Sequence, residues 1–355
     1  MSANAHGPSE ALKGLVRRQY FWGIVAIALL LLVNLVKDPG YLAVSIGQSG
    51  NLAGNVIDIL RAAAPIILIA VGMCLVVSTG GIDLSVGSVM AVAGAVSMEF
   101  LNGASDTVGS GLAAVGLVVI VSAALGAVNG VLVSVVGLQP FISTLVIMLA
   151  GRGLAKVITG GQNTTATNET FRWIANGYVL GLPVVFLLAL LLALLMGLLV
   201  RRSALGLMLE AIGMDAKAAR LAGVNRRALL FTVYILGGVL AGFAGVFATA
   251  SVMTVDVSRT GYQLELDAIL AVVIGGTSLA GGKFNITGAV VGAILIATLD
   301  KTVVFLGVSS SATPAFKAVV IVVLCLLQSE RVRRMFRQRR AAGAARPAER
   351  EVVAA

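Results

Sequence analysis

Few side chains in this sequence could do chemistry, and the candidates for a functional site are acids, amides and a serine next to or inside apolar segments. The one histidine, His6, lies in a polar N-terminal segment, which excludes histidine-based catalysis and a zinc site. The two cysteines, Cys74 and Cys325, both lie in apolar runs, which excludes a disulfide-stapled scaffold. The sequence therefore predicts a chain that is not an enzyme and that holds no metal.

Five polar residues next to or inside apolar runs are candidates for a translocation pathway. Asp83 and Ser85 follow a glycine pair, and Asp267 lies where a later apolar run begins. A carboxylate is costly in a membrane, so each acid either faces a polar pathway or caps a helix by binding its free N–H groups. Asn129 and Gln139 suit sugar hydroxyls or hydrogen bonds between helices. The two interpretations stay open for each acid, and so do the two for each amide.

Three pairs of glycines in predicted spans have the G-x-x-x-G spacing that lets helix backbones approach closely in lipid. They are Gly126 with Gly130, Gly238 with Gly242, and Gly288 with Gly292. Since the chain has 42 glycines, this spacing also arises by chance. Helix packing is the expected role.

A polar segment in the middle of the chain predicts one short helix. Its residues 216–220 read Ala-Lys-Ala-Ala-Arg, with Asp215 as a cap before them and Gly223 as a stop after them. The segment is too short to be a domain. It either transmits motion from a soluble partner or is a surface connector lying on the membrane.

These residues must be positioned by secondary-structure elements, and the composition indicates that the elements are membrane helices. Of the 355 residues 58% are hydrophobic and only 12% are charged, against about 25% charged in an ordinary soluble domain. The mean hydropathy is +1.00. The chain is therefore predicted to be an all-α polytopic membrane protein with about ten spans.

The first predicted span covers residues 21–36, and no signal-peptide cleavage site follows it. Further predicted spans cover residues 57–78, 84–100, 112–136, 141–158, 179–200, 229–250, 264–279, 286–304 and 315–327.

Positive residues predict that both ends of the chain are cytoplasmic. They cluster before the first span, between the sixth and seventh spans, and after the last, and positive residues stay on the cytoplasmic side. The division is an N-terminal tail 1–19, a permease domain 20–329 with a cytoplasmic coupling loop 201–227, and a basic tail 330–355. The net charge of +10 is therefore assigned to membrane orientation, and no nucleic-acid partner is expected.

The chain contains a faint internal repeat in which spans 2–5 resemble spans 7–10. Its matched segments are 81–85 with 264–268, 126–130 with 288–292, and 139–141 with 313–315. A shift of five spans inverts the second copy in the membrane, and inverted repeats are typical of transporters. Glycine- and alanine-rich helices also look alike by chance.

Together the motifs resemble the permeases of ribose/xylose/arabinose-type ATP-binding-cassette (ABC) sugar importers. The motifs that carry the resemblance are GGIDLSVG at 80–87, QPFISTL at 139–145, GRG at 151–153, EAIG at 210–213 through AGVN at 222–225, and ELDAILAVVIGGTSL at 265–279. They run in order over residues 57–329. Residues 57–65, 150–153 and 264–267 most resemble galactofuranose importer permeases.

The resemblance implies partners. These are an ABC ATPase, a periplasmic sugar-binding protein, a second permease subunit that is identical or different, and the lipid bilayer of the bacterial inner membrane. The segment 210–225 would be the coupling helix that docks on the ATPase, with the coupling residues Glu210, Ala211, Gly213, Asp215, Ala219, Gly223 and Asn225.

The same resemblance implies that the ATPase partner binds ATP and Mg and that this chain binds no cofactor. The substrate would be a monosaccharide, with galactofuranose or a pentose as examples. Two alternatives stay open: an ABC permease for another small solute, such as a branched-chain amino acid or a nucleoside, and an ion-coupled secondary transporter.

Overall fold

A computed structural model describes residues 19–47, 50–309 and 312–328 of the chain. His6 and the basic residues predicted to orient both tails lie outside the described residues. The helices are α1 (Gln19–Lys37), α2 (Asn55–Ser78), α3 (Val86–Asn102), α4 (Val108–Val131), α5 (Pro140–Ile158), α6 (Glu169–Asn176), α7 (Val184–Arg202), α8 (Leu205–Met214), α9 (Ala216–Leu221), α10 (Arg226–Val252), α11 (Leu264–Ile274), α12 (Ile286–Phe305) and α13 (Thr313–Gln328).

Short strands pair in antiparallel fashion at the ends of the helices. They are β1 (Ser45–Ile46) with β2 (Leu52–Ala53), β3 (Thr164–Thr165) with β6 (Thr254–Val255), and β4 (Tyr178–Val179) with β5 (Leu182–Pro183). The last pair ends the connection into α7.

The prediction of an all-α polytopic membrane protein is confirmed. Among the described residues, six helices are long and apolar enough to cross a membrane. They are α2, α4 with its π-helical continuation Leu132–Val136, α5, α7, α10 and α12. The segment Phe21–Lys37 of α1, helix α3 and helix α8 are also apolar but shorter.

Two predicted spans begin or end elsewhere because a tight turn interrupts an apolar run. The run 179–200 becomes α7 only at Val184, since Leu180 and Gly181 have φ values of 53° and 80° and form the turn between β4 and β5. The run 264–279 ends as a helix at Ile274. A Cβ on Gly275 would lie 2.3 Å from the carbonyl carbon of Gly288, so the backbones of α11 and α12 touch there.

Helices α2 and α10 cross at the centre of the bundle. A Cβ on Gly72 of α2 would lie only 3.2 Å from Cα of Gly237 of α10, so the two backbones meet directly. Helix α2 also packs on α11 and α12, and α10 packs on α3 and α4. Such close approach between small residues stabilises helix packing where lipid provides no hydrophobic driving force.

The predicted glycine pairs lie at two different helix contacts. Cβ atoms on Gly126 and Gly130 would lie 2.4 Å from the carbonyl oxygen of Tyr234 and 2.9 Å from the Phe231 ring, both on α10. Those on Gly288 and Gly292 would lie about as close to the backbone of α11. Gly126 and Gly130 therefore pack α4 on α10, and Gly288 and Gly292 pack α12 on α11. Gly238 and Gly242 of α10 lie at the first of these contacts, since their Cβ atoms would lie 2.6 Å from the carbonyl oxygen and 2.3 Å from the hydroxyl of Ser122.

The helices alternate in direction between two ends of the bundle. We call the end that holds residues 203–225 the connector end, and the end that holds residues 159–183 the loop end. Helix α2 ends at the connector end, where Gly282 donates its N–H to the carbonyl of Ser78 at 2.8 Å. Helix α10 ends at the loop end, where Asn176 donates to the carbonyl of Ala250 at 3.1 Å.

Candidate translocation and coupling sites

Asp83 holds the turn that leads from α2 into α3. Its side chain is 2% exposed. Its Oδ1 accepts hydrogen bonds from the Ser85 N–H at 2.8 Å and from the Ser85 hydroxyl at 2.6 Å. An aspartate that binds the backbone two residues further on stabilises a turn. Asp83 therefore stabilises, from inside the bundle, the turn that precedes α3.

Hydrogen bonds connect this turn to α4 and α5. Asn129 of α4 donates from Nδ2 to the Ser85 hydroxyl at 2.8 Å, and Ser143 of α5 donates to Asn129 Oδ1 at 3.4 Å. We call Asp83, Ser85, Asn129 and Ser143 the Asp83 cluster; all four are buried. Three were singled out from the sequence, whereas Ser143 was missed although it lies in the QPFISTL motif.

Gln139 does not join this cluster. It is exposed and precedes the first residue of α5, with no side-chain hydrogen bond to the helix. The hydroxyl of Tyr234 is buried next to the turn that holds Asp83. A Cβ on Gly81, which belongs to this turn, would lie 3.2 Å from it. The Tyr234 hydroxyl has no hydrogen-bond partner among the described residues. Within the described part of the chain, no lysine or arginine is ion-paired with Asp83.

Asp267, near the start of α11, has a cation as its partner. Lys317 of α13 donates from Nζ to both carboxylate oxygens of Asp267 at 3.0 Å, and it lies 2.8 Å from Oδ1 of Asp300 on α12. We call these three residues the Asp267 cluster. Sequence reasoning missed Lys317 and Asp300, although each is a charged residue within a predicted span, where a partner is expected.

A second cation holds the loop that precedes α11. Arg152 of α5 donates from Nη1 to the carbonyls of Thr260 at 2.6 Å and of Val257 at 3.4 Å. Glu265 lies nearby, since a Cβ on Gly87 would be 2.4 Å from its Oε2 and 3.4 Å from Nη2 of Arg152. The loop before α11 is therefore held by α5 and closely packed on α3.

The connector contains the short helix that the sequence predicted. Asp215 caps α9 by accepting from the N–H groups of Lys217 at 2.8 Å and Ala218 at 3.1 Å. Gly223 has a φ of +85° after the helix ends. Asn225 in turn caps α10 by accepting from the N–H of Ala228 at 3.1 Å.

The predicted coupling residues divide between a surface and an internal contact. Asp215, Gly223 and Asn225 are exposed, Glu210 and Ala211 are half-buried, and Ala219 is buried. Gly213 is packed so tightly that a Cβ would lie 2.0 Å from the carbonyl oxygen of Ser78 and 2.1 Å from the nitrogen of Gly282. The connector therefore touches the last residue of α2 and the turn between α11 and α12 through backbone atoms.

Three apolar side chains on the connector escaped the sequence analysis. Leu207, Met214 and Leu221 are 75%, 71% and 90% exposed. Large apolar side chains exposed together at the end of a bundle are typical of a contact surface. The sequence did not indicate their exposure, because leucine and methionine also make up the neighbouring apolar runs.

Comparisons with known proteins identify the family. Residues 55–327 match the family model described as branched-chain amino acid transport system/permease component. The chain is 50% identical to the fructose import permease protein of Bifidobacterium longum over 93% of both chains. It is 42% identical to the galactofuranose transporter permease protein of Escherichia coli over 89% of this chain and 92% of that one.

A third relative is the ribose import permease protein of Escherichia coli, 38% identical over 86% of this chain and 92% of that one. No solved structure matches the chain significantly. The predicted resemblance to sugar importer permeases is confirmed, with the fructose permease more similar than the galactofuranose permease. The chain belongs to the ABC permease family whose model it matches, and these sugar import permeases are its relatives.

Proposed function

We propose that this chain is the membrane permease subunit of a bacterial ABC importer and that it translocates a monosaccharide. One observation carries the proposal: 50% identity over 93% of both chains to a permease named for fructose import. The family description names branched-chain amino acids, but the more similar relatives are named for fructose, galactofuranose and ribose. A monosaccharide is therefore favoured over an amino acid or a nucleoside.

The proposed topology has ten spans, with both termini in the cytoplasm of a bacterium and the permease in its inner membrane. The connector end carries Arg201, Arg202, Arg226 and Arg227, all of which are exposed. Exposed positive residues beside membrane helices favour the cytoplasmic side. The alternating helix directions then support an outward-facing loop end, where a periplasmic sugar-binding protein would dock.

The inverted repeat is part of the same proposal. In it α2 corresponds to α10, α3 to α11 and α4 to α12. Helix α2 packs on α11 and α12 as α10 packs on α3 and α4, which is the exchange that a two-fold relation requires. The crossing of α2 and α10 at Gly72 and Gly237 supports an axis through the bundle centre. Transporter sites lie near such a repeat interface.

The connector is proposed to receive motion from the ATPase, which binds ATP and Mg. Leu221 and Met214 supply an exposed apolar surface for the ATPase, and Gly213 contacts Ser78, the last residue of α2, after which the turn that holds Asp83 begins. Displacement of α9 would reach the Asp83 cluster through this backbone contact. The permease is proposed to act as a pair, either with a second copy or with a related chain.

An ion-coupled secondary transporter is the second candidate function. The observation that favours it is a buried carboxylate, Asp83, without an ion-pair partner in the described part of the chain. An intramembrane acid of this kind can carry a proton. The named relatives favour the ABC importer.

The coupling surface can be tested by recovering the ATPase with a tagged permease. Leu221→Glu should abolish co-purification from mild detergent, because a charge would replace an exposed apolar contact. Leu180→Glu is the matched control, since Leu180 is 96% exposed at the loop end. Retention of the ATPase by Leu221→Glu would contradict the coupling surface, and sugar uptake by the permease without ATP would contradict the importer.

A further inference from the structure

We propose that a cavity between α11 and α13 at the loop end is a binding site for a neutral monosaccharide on the translocation pathway. The inference rests on the proposed function and adds a sugar-binding site to it. The cavity has a volume of about 580 Å³, within the range of about 300–1,000 Å³ that is usual for small-molecule sites. A cavity of this volume has room for a sugar ring together with several water molecules.

The polar part of the cavity matches sugar hydroxyls, which both donate and accept hydrogen bonds. Asp267, Lys317, Gln263 and Thr313 line it. The carboxylate of Asp267 accepts, the ammonium of Lys317 donates, and the amide and the hydroxyl do both. Because Lys317 is shared between Asp267 and Asp300, its ammonium is not available to bind an anion, and the lining favours a neutral polyol.

The other wall of the cavity is aliphatic. Leu266, Leu270 and Val322 line it, and no aromatic ring lines this cavity in the described part of the chain. A sugar ring has apolar C–H faces that pack on such side chains. A site without an aromatic stacking surface binds a sugar weakly, which suits a pathway that must release what it accepts.

The backbone at the rim supports a functional role for Gln263. It precedes α11 with a φ of +61°, a left-handed conformation that is uncommon for residues other than glycine and asparagine. Strained residues of this kind cluster at functional sites. The Gln263 amide is exposed and makes no hydrogen bond to other described residues, so it is free to bind a ligand.

Protection of a cysteine from modification tests the site directly. In right-side-out vesicles that hold the assembled importer, Ala318→Cys places a thiol in the cavity lining, in a background with Cys74 and Cys325 replaced by alanine. The probes are D-fructose and D-ribose, with sorbitol as an open-chain comparison. A sugar at about ten times its half-saturating concentration should slow modification by a methanethiosulfonate about tenfold.

Leu180→Cys is the control, because Leu180 is exposed at the same end but lies outside the cavity lining. Its modification rate should not change with either sugar. ATP-driven uptake of the same sugars is measured in the same vesicles. Uptake without protection of the cysteine at position 318, or equal protection at both positions, would overturn the site alone. Loss of all ATP-driven sugar uptake in the wild type would overturn the proposed function and the site together.

A second variant separates sugar binding from folding. Gln263→Gly relieves the left-handed strain and removes the amide, whereas Gln263→Asn keeps an amide in a conformation that asparagine tolerates. Gln263→Gly should raise the sugar concentration needed for protection severalfold without lowering the melting temperature, and Gln263→Asn should restore most of the protection. Unchanged protection with Gln263→Gly would overturn the role of the amide.

Discussion

Asp83 and Asp267 lie in matched segments of the two halves of the proposed repeat, but their clusters are stabilised differently. Asp83 is bound by the backbone and hydroxyl of Ser85 within its own turn, and only neutral groups extend that network. Asp267 is bound by Lys317 from another helix, and Lys317 also binds Asp300. One cluster shapes a turn, whereas the other joins three helices.

The kind of bonding in each cluster, neutral or charged, agrees with the part of the molecule that the cluster contacts. Neutral hydrogen bonds can be exchanged at low cost. The turn at Asp83 follows Ser78, which packs on Gly213 of the connector, and through this contact the connector would move the turn. Charges in an apolar bundle are costly to separate, so the Asp267 cluster fixes α11, α12 and α13 beside the proposed sugar cavity. We therefore expect the turn at Asp83 to move with the connector, and α11, α12 and α13 to stay rigid beside the cavity at the loop end.

The largest expected effect is that of Lys317→Met on stability. Removing the ammonium leaves two carboxylates close together without a cation, and breaking a buried pair in this way costs about 3–5 kcal/mol. Since Lys317 is 17% exposed at its side chain, the lower end of this range is expected. Thermal unfolding of the purified permease in detergent measures the loss.

The exposed Lys156→Met serves as the control, since Lys156 makes no ion pair with the described residues. Adding Asp267→Asn and Asp300→Asn to Lys317→Met should recover most of the lost stability, because no uncompensated charge remains. A melting temperature unchanged by Lys317→Met would refute the interhelical role of the cluster.

Asn129→Ala should have a smaller effect. It removes the amide that joins the Ser85 hydroxyl to Ser143, so one good and one long neutral hydrogen bond are lost. A neutral hydrogen bond contributes about 0.5–1.5 kcal/mol, and the buried partners left behind add to the loss. Hydrogen exchange of residues 79–85 should accelerate more than exchange in α12.

Ser122→Ala is the comparison for Asn129→Ala, because its buried hydroxyl bonds only to carbonyls of its own helix. It should leave exchange at residues 79–85 unchanged. Equal acceleration in both variants would show that the network does not hold the turn.

The smallest expected effect on stability is that of Asp83→Asn. The amide oxygen of asparagine still accepts both hydrogen bonds from Ser85, so the free energy of unfolding should fall by less than about 1 kcal/mol. Thermal unfolding of the two variants side by side measures this contrast with Lys317→Met. A loss as large as that of Lys317→Met would mean that the charge of Asp83 is required, and would break the distinction between the two clusters.

The sequence predicted much of the fold because apolar runs and caps are local signals. Asp215 and Gly223 bound α9 as expected, and the long helices lie within a few residues of the predicted runs. The start of α7 was predicted too early. Leu180 adopts a left-handed turn conformation, although leucine is not a residue type that indicates a turn. Turn conformation there depends on the pairing of two short strands, which no local pattern indicates.

The candidate residues were predicted better than their partners. Asp83, Ser85 and Asn129 were each singled out by type, and the structure brings them together. The partner of Asp267 could not be predicted, because Lys317 lies 50 residues away and the choice depends on how α11 and α13 pack. The close backbone contact of Gly213 was also missed, since glycine in a polar segment predicts flexibility and not tight packing.

ATP-driven sugar uptake tests the central claim most directly. Vesicles that hold the permease with its ATPase and binding protein should accumulate radiolabelled D-fructose, D-ribose or D-galactose when ATP is supplied. They should accumulate none with a non-hydrolysable ATP analogue, and leucine should not be imported. Uptake of leucine in place of the sugars, or sugar uptake driven by a proton or sodium gradient without the ATPase, would contradict the assignment of this chain as the permease of an ATP-driven sugar importer.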